Sequence, residues 1–252
     1  MHVSGDTVLI FDTSRLAVLD RDLNPLRTVA WMESPFNLVE LKDGTFVISK
    51  DPFHGTSELY HFARDGRRLL AFGDSITRQQ RTRYLVVPGA EGGFLSMPEL
   101  YRLEVHDWVG PGSLRRRILI ETPHFAPYET YQRALPDRAP SPTTRGFWAD
   151  SSGLLWILLE VPRTNWQEGL GPERPALEGG GTTFPIVERG KVWGSVLIVV
   201  DPNTARVVAE RILEDWYALV VEPWVIASVR QDEDGWYLAR LARVEPGTGM
   251  RR

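Results

Sequence analysis

Cysteine is absent from the 252 residues, which excludes disulfides, thiolate-held metals and cysteine nucleophiles. The absence suits an envelope compartment as well as a reducing cytoplasm, so it leaves the redox setting open. Long apolar runs are missing too. Leu154 to Leu159 and Val196 to Val200 are far shorter than the roughly 20 residues a helix needs to cross a bilayer. No transmembrane segment is expected, and Met1 to Gly5 shows no basic region, apolar stretch or cleavage site of an export signal. Charge of one sign is likewise scarce. The formal net charge is −4, and the dense basic run Arg115, Arg116 and Arg117 falls inside a strand-like segment, so nucleic acid is not an expected partner.

Familiar catalytic signatures are also lacking. There is no Gly-x-Ser-x-Gly elbow, Walker loop or dinucleotide fingerprint, so serine acyl transfer and nucleotide binding have no local support. His2, His61, His106 and His124 show no metal spacing, and His61 and His106 fall in third strands, where a packed histidine is the default. Asp232-Glu233-Asp234-Gly235 has no further spaced ligands and no closing Glu, so it reads as a hairpin turn and not as a calcium loop. No metal site is expected.

What the chain does have is 42% apolar and 25% charged residues, with nine Trp, 22 Gly and 18 Pro, a profile of short strands and tight turns in a folded protein. A unit recurs: strand, Gly turn, strand, variable loop, strand, tight turn, strand. It is clearest from Phe36 to Phe72, where Lys42-Asp43-Gly44 and Arg64-Asp65-Gly66 mark the two tight turns of a four-stranded meander. The same order returns from Tyr84 to Glu121 and from Arg145 to Leu213. The first unit opens at its second strand, Thr7 to Phe11, and the last shows two strands, Trp224 to Arg230 and Trp236 to Val244. Val8 to Phe11, Leu16 to Leu19 and Leu154 to Leu159 are continuous apolar runs, which implies sheets covered on both faces, as in blades stacked around an axis.

The predicted fold class is therefore all-β, a β-propeller of four-stranded antiparallel blades. It is expected to be incomplete, with about four and a half blades spanning roughly residues 5–33, 35–74, 83–122, 144–214 and 223–245 of a single domain, 1–252. A helical period competes at Val207 to Val220, and Pro127 suits a first helical turn at Ala126 to Leu135; at most short helices are expected there.

Gly5 to Asp12 with Arg15 to Asp20, Leu38 to Val47, Tyr101 to Phe125 and Asp150 to Pro162 resemble the bacterial six-bladed β-propeller family related to NHL-repeat and TolB-like proteins. The resemblance implies six blades, earlier blades ahead of those seen here, and a cell-envelope or periplasmic location. Its motifs are structural and specify no activity. Within it, the expected function is a non-catalytic binding or scaffold module with no cofactor. The alternative is a metal-dependent hydrolase or lyase of the lactonase-like kind, which would hold calcium on the axis with Glu, Asp and Asn side chains. Of four Asn, Asn24 and Asn203 sit in tight turns at the wrong end, leaving Asn37 and Asn165.

Successive turns of a meander lie at alternate ends, and all the long segments fall at one end: Asp51 to Ser57, Gly73 to Arg83, Thr122 to Thr144 and Pro162 to Lys191. Long irregular segments in a compact repeat fold are where function concentrates. A protein, peptide or small-molecule ligand is expected on that face. The candidates to bind it are Arg163, Asn165 and Trp166, with His54 reaching the same mouth as acid, base or ligand. The competing reading of Pro162 to Lys191 is a flexible surface excursion diluted by Gly169, Gly171 and Gly179 to Gly181. Catalytic residues are not assignable from this pattern. Incomplete units at the two ends would leave open blade edges, through which self-association is expected.

Overall fold

A computed structural model describes residues 2–4, 7–11, 15–30, 35–50, 57–75, 83–175, 182–231 and 237–245. The elements are almost all strands. The first sheet is β1 (His2–Ser4), β2 (Thr7–Phe11), β3 (Arg15–Asp20) and β4 (Pro25–Ala30). The second is β5 (Pro35–Glu40), β6 (Phe46–Lys50), β7 (Ser57–Phe62) and β8 (Arg68–Ser75), and the third β9 (Tyr84–Pro88), β10 (Phe94–Pro98), β11 (Glu104–Gly110) and β12 (Ser113–Leu119). The fourth joins β13 (Thr143–Ala149) and β14 (Leu155–Pro162) to two later strands. Between these pairs lie the short strands β15 (Arg174–Pro175) and β16 (Thr182–Thr183) and the helix α1 (Arg189–Val192), before β17 (Trp193–Asp201) and β18 (Arg206–Leu213) complete the sheet. The fifth is β19 (Leu219–Glu222), β20 (Val225–Gln231) and β21 (Tyr237–Arg243).

Every ladder is antiparallel and each sheet follows chain order, as expected of propeller blades. Two units differ from the sequence-based expectation. The first sheet has four strands, because His2–Ser4 pairs with Thr7–Phe11; three residues are too few to show an alternation in the sequence. The last has three strands, because Leu219–Glu222 pairs with β20. The helical period across Val207 to Val220 is overridden: Arg206–Leu213 pairs with β17 and Leu219–Glu222 with β20, as β-branched Val207, Val208, Val220 and Val221 favour. Residues 126–135 form no helix. Asp232 to Gly235 lies outside the described residues.

The chain divides into two compact units, Met1–Glu99 with Glu104–Leu119, and Leu100–Leu103 with Ile120–Arg252. In the first, the second sheet is buried on both faces. Leu38, Phe46, Ile48, Tyr60 and Phe62 pack with Leu16 and Val18, and Val39, Val47, Leu59 and Phe72 pack with Tyr84, Phe94 and Trp108. The alternation of Phe46 and Ile48 against Val47 sends neighbours to opposite faces, so a continuous apolar run fills two cores. The run Arg115, Arg116 and Arg117 is paired with Glu91, Asp107, Asp74 and Glu104.

In the second unit, Trp148, Trp156, Leu158, Leu197 and Val199 of the fourth sheet pack against Tyr217, Ile226, Val220 and Trp224. A Cβ on Gly146 would lie 2.5 Å from Val220 Cγ2, so only glycine lets β13 approach β19 this closely. The tight turns carry their own fastening. Asp150 Oδ1 accepts from the amides of Ser152 (2.8 Å) and Leu154 (3.0 Å), while Gly153 takes φ +84° to close the turn.

Candidate functional site

The candidate site stands at the long-segment end of the fourth sheet. There β14 turns from apolar to polar: Leu155 to Leu159 are buried, and so is the next residue, Glu160. Register places Thr143, Glu160 and Ser195 opposite one another on three adjacent strands, one step beyond Gly146, Leu158 and Leu197. Residues opposite one another share a face, so the apolar layer between the fourth and fifth sheets ends in a polar step. A bulge between Thr144 and Gly146 re-aims Arg145, whose Nε donates to Glu160 Oε2. Ser195 Oγ accepts from the Tyr217 amide (2.7 Å) and donates to the Tyr217 carbonyl (3.4 Å), tying β17 to the segment that leads into β19.

Three oxygens at this step have no hydrogen-bond partner among the described residues: Glu160 Oε1, Thr143 Oγ1 and Thr144 Oγ1. Arg145 holds one carboxylate oxygen and leaves the other as an acceptor on the face it shares with Thr143, while Thr144 stands opposite Leu159 on the other face. A buried carboxylate oxygen left over in this way can accept from a water.

Above this step, residues 122–142 form one braced platform with residues 163–175 and 182–192. Trp166 Nε1 donates to the Leu135 carbonyl (3.0 Å), and the indole packs with Ala134, Val192 and Trp193 beside Leu170 and Trp216. Arg163 spans the strand ends: its amide donates to the Val192 carbonyl (2.9 Å), its Nε to Trp193 O (3.1 Å) and its Nη2 to Glu214 O (2.8 Å). Asn165 is exposed at the start of a short 3-10 helix, Trp166–Gly169, and its carbonyl accepts from the Glu168 amide (3.1 Å). Within the other segment, Tyr128 lies at the centre of an aromatic row, 5.5 Å from Tyr101, 5.9 Å from Phe125 and 6.5 Å from Tyr131 by ring centroids. Its hydroxyl donates to the Pro142 carbonyl (2.8 Å) and its amide to the Tyr101 carbonyl (2.9 Å). Tyr101 sits at φ +74°, a region costly for a side chain with a Cβ, and burial pushes its phenol pKa up. His124 meets Glu210 of β18 at 3.2 Å and fastens the start of the segment.

Of the residues singled out from the sequence, Arg163, Asn165 and Trp166 lie together in this platform. Arg163 and Trp166 serve as its fasteners, and Asn165 faces solvent. His54 lies outside the described residues. His61 and His106 are on third strands, as expected. His61 hydrogen-bonds with the Thr45 hydroxyl (2.8 Å), and burial lowers its pKa against the opposing pull of Asp43. The sequence reading passed over Thr143, Arg145, Glu160 and the tyrosine row. Glu160 did leave a trace, as a lone acid after the apolar run Leu154 to Leu159.

No protein-family model and no curated protein matches the sequence. Among solved structures the chain is similar to hydrazine synthase of Kuenenia stuttgartiensis, at 13% identity and TM-score 0.53, over 98% of this chain and 62% of that one. The fold is of the β-propeller type. The chain thus spans about three fifths of the length of that structure, and at this identity the likeness concerns the fold alone. A protein of unknown function from Bacteroides caccae aligns over 79% of this chain and 60% of its own, at 12% identity and TM-score 0.45.

Proposed function

We propose that this chain is a non-catalytic binding module, its blades of the six-bladed, NHL-repeat-related kind, that recognises its ligand with the platform built by residues 122–142, 163–175 and 182–192. One observation carries the reading: the two segments are fastened to each other through Trp166 and Leu135, so they present a pre-ordered surface in place of two independent loops. Pre-ordering removes much of the entropy cost of binding, and half-buried tyrosines supply area with few rotatable bonds. The buried polar step at Thr143 and Glu160 lies at the same strand ends, in the sheet that carries this surface.

Calcium titration followed by thermal melting separates this reading from a metal-dependent hydrolase. A binding module of this kind melts unchanged, whereas a specific calcium site at 100 times its dissociation constant adds about 2.7 kcal/mol of stability. A thermal-shift panel of soluble glycans and peptides provides the positive arm. A stabilising compound should lose its effect in Tyr131→Ala, and retention of the full effect there would move the binding surface away from the platform.

A further inference from the structure

The tyrosine row of the platform differs from an ordinary apolar patch in three ways. Its rings do not share a plane: Tyr128 is inclined by 53° to Tyr101 and by 54° to Tyr131, while the buried Phe125 stacks on it at 24°. The row is also held in place. The Tyr128 hydroxyl and amide engage Pro142 O and Tyr101 O, the Gln132 amide beside Tyr131 donates to Ser141 Oγ (3.0 Å), and the Ser141 amide donates back to Gln132 O (2.9 Å). Tyr101 is kept at φ +74°, and backbone strain of that kind collects where a side chain must be aimed. Third, the segment that carries Tyr128 and Tyr131 is poor in aliphatic side chains. From Thr122 to Arg133 there is no Leu, Ile, Val or Met, and the exposed residues after Tyr128 are Glu129, Thr130, Gln132 and Arg133, one acid and one base among them.

We propose that this row binds a neutral, curved oligosaccharide, with pyranose faces stacked on the tyrosine rings. The proposal rests on the platform being the ligand surface and adds the chemical class of the ligand. One face of a pyranose presents C–H groups that are slightly positive, and an aromatic ring meets them with its negative face. The rim of the sugar consists of hydroxyl groups, each a donor and an acceptor, which Glu129, Thr130, Gln132 and Arg133 can meet from beside the rings. An apolar peptide would call for aliphatic contacts and a charged ligand for a net charge, and the segment from Thr122 to Arg133 supplies neither. Tilt chooses among sugars. A flat chain such as cellohexaose suits rings in one plane, whereas maltohexaose turns from residue to residue, as the rings do here.

Isothermal titration calorimetry of the full chain with maltohexaose, cellohexaose and a proline decapeptide tests this. Maltohexaose should bind saturably and more tightly than cellohexaose, with Tyr131→Ala weakening it about three- to tenfold and Tyr131→Phe, which keeps the ring, retaining most of the affinity. Near-ultraviolet circular dichroism checks that the variants are folded. Gln132→Ala, which removes an exposed side chain, should weaken maltohexaose as well and carries the test if Tyr131→Ala does not fold. Cellohexaose binding as tightly as maltohexaose, binding of the peptide alone, or binding of none of the three overturns the proposal. The two readings fail separately: peptide binding that Tyr131→Ala abolishes keeps the platform as the ligand surface and removes the sugar, whereas maltohexaose binding untouched by Tyr131→Ala and Gln132→Ala moves the surface elsewhere and removes both.

Discussion

Replacing Trp156 with alanine removes the centre of the layer between the fourth and fifth sheets. The indole is 4% exposed, lies nearly parallel to Trp148 at 5.7 Å and meets the edge of Trp224 at 4.6 Å. Burying about 200 Å² of aromatic surface is worth about 5 kcal/mol at about 25 cal/mol per Å², and alanine recovers a small part of that. The lost hydrogen bond from Nε1 to Asp150 Oδ2, 2.8 Å, adds little, because Ser152 and Leu154 still donate to the same carboxylate. Partial collapse of Trp148 and Trp224 into the space works the other way. The expected cost is about 3 to 5 kcal/mol, typical of a large aromatic cut to alanine. In a chain of this size that lowers the melting temperature by roughly 10 °C. Urea unfolding of the variant, followed by near-ultraviolet circular dichroism, measures it. Trp156→Phe should retain most of the packing and lose about 1 to 2 kcal/mol. A cost below about 1 kcal/mol for the alanine variant would mean that Trp156 is not packed between sheets, and the assignment of β14 as a second strand would fall with it.

Three further outcomes follow from the same structure. Removing the acid in Glu160→Ala deletes the carboxylate that Arg145 holds and should cost about 3 kcal/mol, most of it recovered by pairing Glu160→Leu with Arg145→Met; additive losses in that double variant, measured by urea unfolding, would rule out the coupling. Gly146→Ala drives a methyl group into Val220 and should cost about 1 to 3 kcal/mol, relieved by Val220→Ala, and the two melting curves decide it. The carboxyls of three turn residues are held below the ordinary value of 3.8: Asp20 by the Asn24 side chain and amide, Asp43 by the Thr45 hydroxyl and amide, and Asp150 because hydrogen bonds from Ser152, Trp156 and Leu154 outweigh the upward push of burial. Groups lowered on folding stabilise the native state above their unfolded value and lose that contribution as pH falls through the folded one. Urea midpoints should therefore drop below about pH 4, less steeply in Asp150→Asn; an unchanged slope in that variant would contradict the assignment.

The blades were legible because their signal is local. Lys42-Asp43-Gly44, Arg64-Asp65-Gly66 and Asp150 to Gly153 place Asp where its carboxylate caps the turn and Gly where φ is positive, and alternating Phe46, Val47 and Ile48 announce two buried faces. What was missed depends on pairing. Leu219–Glu222 is four residues long and becomes a strand only through β20, and His2–Ser4 only through β2. The site was less readable still. Arg163 and Trp166 look like ligand contacts in a loop rich in Gly, yet their partners are backbone carbonyls of Trp193, Glu214 and Leu135, at separations of about 30 to 50 residues that no local pattern reveals. Glu160 reads as the end of an apolar strand until register sets it against Thr143 and Ser195.

The platform and the Trp156 layer belong to one mechanical system. Trp224 holds φ +72°, an unfavourable region for a bulky residue, and the compensation is its edge contact with both Trp148 and Trp156. That contact fixes the turn between β19 and β20, and Trp224 O in turn accepts the Val244 amide at 2.7 Å, locking the end of β21. At the opposite end of the same layer, Ser195 grips Tyr217 and Arg163 grips Glu214, so the approach to β19 is fastened to β17 just where the platform rises. A loop surface is only as well positioned as the sheet beneath it. Loosening the tryptophan layer should therefore blur the platform before it unfolds it, and the proposed ligand surface would be lost through disorder of Tyr217 and Glu214 with Tyr128 and Trp166 still chemically intact.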